Sequence, residues 1–236
     1  MKTPGKFYLI PATLGNTSSE KVIPGRTLEI LHRLNDFVAE EIRTARRYLH
    51  RAGHAGDLNA ITFHVFNEHS RPDDILPIIE SLLSGHDIGL LSEAGLPCVA
   101  DPGNAIVKEA HRHGIQVIPL SGPSSVMLAL MASGFNGQNF TFHGYLPVQT
   151  QKRIRQIHQL ENKVYQNDQT QIFMETPYRN LQLFNDIIRT CSDETYLCVA
   201  CDLTLETEWI QSRPVREWKK DPPAIHKRPA VFLLYK

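Results

Sequence analysis

Along this chain, short apolar runs bounded by turn residues alternate with longer stretches in which apolar residues return every third or fourth position. The runs predict strands: FYLIPA at 7–12, FVAE at 37–40, ITFHVF at 61–66, DIGLL at 87–91 and QVIPL at 116–120. The spaced stretches predict helices over 24–34, where Leu28, Leu31 and Leu34 share a stripe, and over 44–52, 73–83 and 104–113. Gly85 and Gly114 stand just past two of them, where a left-handed residue ends a helix. The apolar helix VMLALMASGF follows SGPSS at 121–125, with Pro123 suited to its first turn. After the turn-rich GFNGQN at 134–139 come a strand FTFHGYLP, a polar helix over 150–165 and a strand TQIFMETP. A helix over 178–191 turns Leu181, Phe184, Ile187 and Ile188 inward; then follow the strand TYLCVACDL, a pair of β segments in ETEWIQSRPVREW, and a last strand AVFLLYK. The pattern predicts an α/β chain in two domains, 1–134 with a mostly parallel sheet and 135–236 with a mixed one.

Composition narrows the class. A chain of 236 residues, 42% hydrophobic, can bury a substantial core. No apolar run has the length of a bilayer span, and MKTPGKFYLI lacks a cleavable hydrophobic segment, so a soluble cytoplasmic protein with no membrane partner is expected. Lys and Arg number 25, as do Asp and Glu, so the whole molecule exerts no bulk pull on nucleic acid. Charge is nonetheless clustered: Arg43, Arg46, Arg47 and Arg51, with His50 and His54, lie on one predicted helix and its end, and Arg213, Arg216, Lys219, Lys220, Lys227 and Arg228 lie late in the chain. Each cluster is either a solvated face or a contact for a polyanion, and the sequence leaves both open. The four cysteines Cys98, Cys191, Cys198 and Cys201 are too sparse for a disulfide scaffold. Cys198 and Cys201 lie three apart on a strand, hence on opposite faces, with no second CxxC or histidine pair, so buried structural cysteines and no metal are expected.

The chemistry-bearing stretch is LLSEAGLPCVADPG at 90–103, where a buried strand runs into a long loop holding Gly95, Gly103, Pro97, Pro102 and the carboxylates Glu93 and Asp101. Loops at the carboxyl ends of strands are where open α/β sheets bind ligands, although such a loop also serves as a plain connector. Ser124 and Ser125, at a helix start, either cap it or offer hydroxyl and N–H groups to a ligand.

These landmarks resemble, in order and spacing, the tetrapyrrole (corrin/porphyrin) methylase superfamily, and within it the branch that 2′-O-methylates a cytidine of small-subunit ribosomal RNA. YLIPATLGN resembles that branch's opening strand with P-x-x-x-G-N, Glu40-Glu41-x-Arg43 its acidic-Arg segment, and Asn67-Glu68 its Asn-Glu pair. LLSEAGLPCVADPG resembles S-D-A-G-T-P…D-P-G, LSGPSS the P-G-P element, FHGYLP the lead into the second domain, FMETPYR an F-x-E-S/T-x-H-R element and CDLTLETE an R-E-L-T-K-x-x-E element. The resemblance implies two α/β/α domains with a cofactor cleft between them, S-adenosylmethionine as cofactor, ribosomal RNA or the small ribosomal subunit as partner, and a homodimer. It implies cofactor contacts at Leu14, Gly15, Glu93, Ala94, Gly95, Leu96, Val99, Ser124, Ser125 and Met174, and makes Glu41, Glu68, Glu175 and Asp202 candidates for proton transfer, with surface or capping roles as their alternatives. This chain departs at Glu93 and Leu96, where the branch has Asp and Thr, at Cys201 and Leu205, where it has Arg and Lys, and at Phe66 and Tyr178, where it has histidines. A tetrapyrrole C-methyltransferase and a non-catalytic S-adenosylmethionine-binding module are the competing functions.

Overall fold

The computed structural model describes residues 3–236, which contacts divide into two compact units, one ending at Ser124 and the other starting at Ser125. The first unit runs β1 (Phe7–Ile10), α1 (Ser19–Val22), α2 (Gly25–Arg33), β2 (Asp36–Ala39), α3 (Ile42–Arg51) and β3 (Thr62–Val65). A 3₁₀ turn at Pro72–Ile75 leads into α4 (Leu76–Leu83), then β4 (Ile88–Leu91), α5 (Asn104–Arg112) and β5 (Val117–Pro119). The strands pair in the order β3-β2-β4-β1-β5, every neighbouring pair parallel. Alternation along each strand supplies two cores. Phe7, Val38, Ile88 and Leu90 pack with Ile78, Leu82 and Ile106 of α4 and α5. Tyr8, Ile10, Phe37 and Leu91 pack with Leu28, Leu31, Tyr48 and Leu49 of α2 and α3. Covered on both faces, β1 and β4 carry no polar residue, hence the continuous runs in the sequence, whereas the edge strand β3 carries Thr62 and His64.

The second unit runs α6 (Ser125–Ser133), β6 (Phe140–Tyr145), α7 (Thr150–Asn167), β7 (Thr170–Glu175), α8 (Asn180–Thr190), β8 (Tyr196–Cys201), β9 (Trp209–Pro214), α9 (Val215–Trp218) and β10 (Ala230–Tyr235). Its sheet has the order β6-β7-β10-β8-β9; β6 and β7 are parallel and the other pairings antiparallel. The core gathers Phe173, Phe184, Phe232, Trp218, Leu160 and Ile187.

Four expectations change. The second β segment of ETEWIQSRPVREW is the short helix α9: Pro214 stands at its N-cap, and Trp218 turns into the core, donating its indole N–H to the Leu197 carbonyl at 2.9 Å. α6 starts at Ser125, so Pro123 precedes the helix. That helix packs on β8, β9 and β10, so the division falls before it rather than at the expected 134/135. The turn α1 was not anticipated, and residues 73–75 are 3₁₀ rather than α. The cysteines are free, and Cys198 and Cys201 are fully buried in β8. Among the described residues no helix is long and apolar enough to cross a membrane, and no group of three or more His, Cys, Asp and Glu is placed to hold a metal.

Arg153 of α7 is 1% exposed; its Nε donates to Asp186 of α8 at 2.7 Å and its Nη1 to the Val148 carbonyl at 2.7 Å. Asp186→Ala strands that buried guanidinium, and a loss of about 3–5 kcal/mol is expected in denaturant unfolding of the second unit; a loss below about 1 kcal/mol would show that water already neutralises the pair.

Candidate functional site

A parallel sheet sends every strand out at the same edge, and in the first unit three exits are tied together there. The loop after β1 and the long loop after β4 share a two-way backbone pairing, Ala12 N–H to the Gly95 carbonyl at 2.9 Å and Gly95 N–H to the Ala12 carbonyl at 3.2 Å. Gly95 sits at φ 73°, and a Cβ there would lie 3.1 Å from Leu14 Cδ2 and 3.6 Å from the Pro123 carbonyl oxygen. Leu14, Gly95 and Pro123, from the exits of β1, β4 and β5, therefore converge. Gly122 completes the approach, since a Cβ would meet Pro11 Cβ at 2.3 Å.

Beyond Gly95 the loop holds two non-glycine residues in left-handed conformations, Cys98 at φ 66° and Ala100 at φ 57°. Such residues cost about 1–3 kcal/mol each and concentrate where a loop is held for function. Local hydrogen bonds hold the shape: Ser92 donates to the Ala94 carbonyl at 3.1 Å, Gly103 N–H to Asp101 Oδ1 at 2.8 Å, and Thr13 to the Gly15 carbonyl at 2.9 Å. Glu93, Ala94 and Val99 are left exposed, with Leu14, Gly15, Leu96 and Ser124 half-buried. A niche of about 20 Å³ lined by Ala12, Thr13, Ala39, Tyr48, Ser92 and Glu93 opens beside them, room for little more than one water. In the second unit, Ser125 is the first residue of α6, and Met174 is half-buried in β7 opposite Val231.

The same edge is acidic. The carboxyl group of Glu40, at the exit of β2, has no hydrogen-bonding or ionic partner among the described residues. Burial, reinforced by the charges of Asp101, Glu93 and Glu68, pushes it up to about 7. Glu93 is raised as well, first by burial and then by Glu41, with Arg47 opposing. Sequence patterns singled out Glu41 from the adjacent pair Glu40 and Glu41. Glu41 is the N-cap of α3, accepting from the N–H groups of Arg43 at 2.8 Å and Thr44 at 2.7 Å and from the Thr44 hydroxyl at 2.9 Å. Those bonds, the Arg43 N–H foremost, hold its carboxyl below the usual range. Glu68 is exposed, with His69 its one ionic neighbour among the described residues, at 3.6 Å. In the second unit, Glu175 Oε1 accepts from Arg179 Nη2 at 2.5 Å and Thr176 N–H at 2.7 Å. Asp202 Oδ2 accepts from the Thr207 hydroxyl and Arg228 Nε, both at 2.8 Å. Glu40 was missed because adjacent acids after a strand look alike; the cue was that Glu41, three residues before Thr44, stands in an N-cap position.

A cationic ligand with an amino-acid end and an adenosine needs close backbone approach, hydrogen-bonding groups and negative potential. The close backbone approach that Gly95 permits, the exposed Glu93, Ala94 and Val99 and the crowded carboxylates Glu40, Glu93 and Asp101 match these requirements of S-adenosylmethionine.

The fold is that of an α/β protein whose first unit gathers the exits of a parallel sheet at one acidic edge. The sequence profile of the tetrapyrrole (corrin/porphyrin) methylases matches residues 21–218, and the chain belongs to that family. It is 30% identical over 233 residues to a ribosomal RNA small subunit methyltransferase I of Escherichia coli, covering 98% of this chain and 77% of the relative. It is 32% identical over 205 residues to the protein of that name from Xylella fastidiosa, covering 86% and 70%. Among solved structures, the methyltransferase CobJ superposes with a TM-score of 0.64 at 16% identity, covering 98% of this chain and 94% of that one. The uroporphyrin-III C-methyltransferase of Thermus thermophilus, solved with S-adenyl homocysteine, does so with a TM-score of 0.59 at 14% identity, covering 98% of each. Both share the fold.

Glu40 titrates at about 7 in the folded chain and near the ordinary 4.5 when unfolded, so the native state holds the extra proton between those values. Its contribution is therefore most favourable below pH 4.5 and is lost as pH rises through about 7. Glu40→Gln is expected to leave the unfolding midpoint unchanged near pH 5 and to raise stability by about 1 kcal/mol at pH 8, after discounting for solvent screening. An equal effect at both pH values would mean that Glu40 is not shifted.

Proposed function

We propose that this chain, an S-adenosylmethionine-dependent methyltransferase by its family, delivers its methyl group to RNA of the small ribosomal subunit, at a ribose 2′ oxygen. The single observation that carries the acceptor is the span of the likeness to proteins named for that substrate, 98% of this chain and 77% of the relative. Leu14, Gly15, Glu93, Ala94, Gly95, Leu96, Val99 and Ser124 are the groups of the first unit that would hold the cofactor, mainly through backbone, since several carry no polar side chain. A bound S-adenosylmethionine supplies a methyl group on a positively charged sulfur, open to displacement by an oxygen in line with the C–S bond.

What the chain adds is alignment and a place for the proton. The strained loop over 96–100 holds its backbone groups in position before any ligand arrives, which removes reorganisation from the reaction. A ribose hydroxyl must lose its proton as the new C–O bond forms. Glu40 is suited to accept it, because its carboxylate is unengaged, stands beside Glu93 and Asp101, and exchanges its proton at about 7. Glu41, whose lone pairs are spent on the α3 N-terminus, is suited less. The family resemblance adds a homodimer in the cytoplasm, and light scattering on the purified chain tests the oligomeric state.

Purified chain with radiolabelled S-adenosylmethionine is expected to label small ribosomal subunits lacking the modification, and nucleoside analysis to find a 2′-O-methyl product; no transfer to any RNA pool sinks the proposal. Gly95→Ala, which adds a Cβ at φ 73° against Leu14, is expected to weaken S-adenosylhomocysteine binding at least about tenfold by calorimetry. Glu40→Gln is expected to lower kcat about 100-fold and to flatten the rise of kcat/KM through pH about 7, where the ionised form takes over. Full activity with an unchanged pH profile would assign the proton elsewhere.

A further inference from the structure

The two basic clusters of the sequence differ in the structure: four of the six late cations are paired, while Lys220 and Lys227 form no salt bridge among the described residues and Lys227 lies over the Tyr178 ring. In the late cluster Arg213 pairs with Asp221 at 2.9 Å, Lys219 with Asp193 at 2.5 Å, Arg228 with Asp202 at 2.8 Å, and Arg216 with Glu194. Each of those cations has its counter-charge within the chain. On α3 none does: among the described residues, Arg43, Arg46, Arg47 and Arg51 form no salt bridge. Arg46 lies over the Phe63 ring at 5.7 Å and Arg51 donates to Asn16 at 3.0 Å, both neutral partners that leave the charge uncompensated.

α3 is sharply two-sided. At 100° per residue its four arginines and His50 fall within an arc of about 140°, while the buried residues Ala45, Tyr48 and Leu49 occupy the opposite side. All five basic residues are exposed. From Arg43 to Arg51 the track is about 12 Å long. It begins one turn from the β2 exit, where Glu40 stands, and Arg47 is near enough to Glu93 to oppose the rise in its pKa. On a chain of zero net charge, this is a local concentration of guanidinium groups held in no salt bridge among the described residues, with Arg43 and Arg47 acting on Glu41 and Glu93 only through space.

We infer that the exposed face of α3, Arg43, Arg46, Arg47 and Arg51, is the track on which the substrate RNA lays its phosphate backbone. This rests on the ribosomal RNA reading above and specifies where that substrate is held. Guanidinium groups match phosphate oxygens in charge and in paired donor geometry, and free ones release counterions when a polyanion docks. The contacts are independent of base sequence; they position the strand, and selection of the target nucleotide lies elsewhere.

The test compares Arg43→Gln, Arg46→Gln, Arg47→Gln and their triple combination with wild type, in filter binding to naked small-subunit ribosomal RNA across a range of KCl concentrations. Arg216→Gln, from the neutralised cluster, serves as control. The triple variant is expected to bind at least about tenfold more weakly and to lose about three units from the log–log salt slope, about one per arginine. Its thermal midpoint and its affinity for S-adenosylhomocysteine should stay at wild-type values, and Arg216→Gln should change nothing. Wild-type affinity and slope in the triple variant would overturn the inference while leaving the proposed activity standing, provided wild type still methylates the RNA. A wild-type chain that neither binds nor methylates RNA would instead remove the substrate reading on which the track depends. Weakened binding to assembled subunits with naked RNA unaffected would also overturn it, assigning the face to an acidic protein.

Discussion

Parallel strand pairing is the constraint on which the first unit's chemistry depends. Because β1, β2, β3, β4 and β5 all run the same way, every loop that leaves them does so at one edge, and groups far apart in sequence are crowded there. The order β4-β1-β5 makes neighbours of the exits holding Gly95, Leu14 and Pro123, and the Ala12–Gly95 pairing fastens the first two. The order β3-β2-β4 likewise brings together the carboxylates after those strands, Glu68, Glu40 and Glu93. Partial burial raises Glu40, and the like charges of Asp101, Glu93 and Glu68 add to the rise. An edge built to approach a ligand closely is thus also one that keeps a proton available near neutrality.

The two units treat charge differently. In the second, Glu175, Asp186 and Asp202 each lie against a guanidinium, and Arg213, Arg216 and Lys219 each have a carboxylate partner. Charges engaged in this way hold elements in register and have little left to offer a ligand. In the first, Glu40 and Glu93 of the strand edge and the arginines of α3 form no salt bridge among the described residues, although Arg47 acts on Glu93 through space. Folding does not need them so placed; crowded acids and clustered cations each cost stability.

Most elements were legible because their signals are local. The inner strands β1 and β4 of the first unit carry no polar residue since both their faces are covered, and α2, α3 and α8 carry stripes at helical spacing. VREW misled because it is too short to show a helical stripe; Pro214 at its N-cap and the burial of Val215 and Trp218, the latter 5.8 Å from Phe184 and 6.0 Å from Trp209 between ring centroids, accompany the helix. α6 offered no direction of burial, being apolar nearly all round, so its attachment to the second unit could not be read from its sequence. The glycines and prolines of the loop over 90–103 announced an unusual backbone, but its convergence with Leu14 and Pro123 depends on strand order, which is nonlocal. The choice between Glu40 and Glu41 turned on which of them caps α3, a matter of one residue in the helix start.

The departures from the RNA-modifying branch gain meaning from burial. Cys201, where that branch carries an arginine, is fully buried at the end of β8, and burial pushes its thiol up to about 11. A guanidinium there would need a partner carboxylate, and the neighbouring Asp202 already holds Arg228, which arrives from the segment before β10. The cation beside Asp202 is thus Arg228, bound to that carboxylate rather than free for phosphate. Leu205 offers no charge at all, and Tyr178, 74% exposed, faces Lys227 rather than presenting an imidazole. With phosphate-binding capacity at these positions withdrawn, an RNA substrate requires it elsewhere, and the four exposed arginines clustered on one face of α3 offer it.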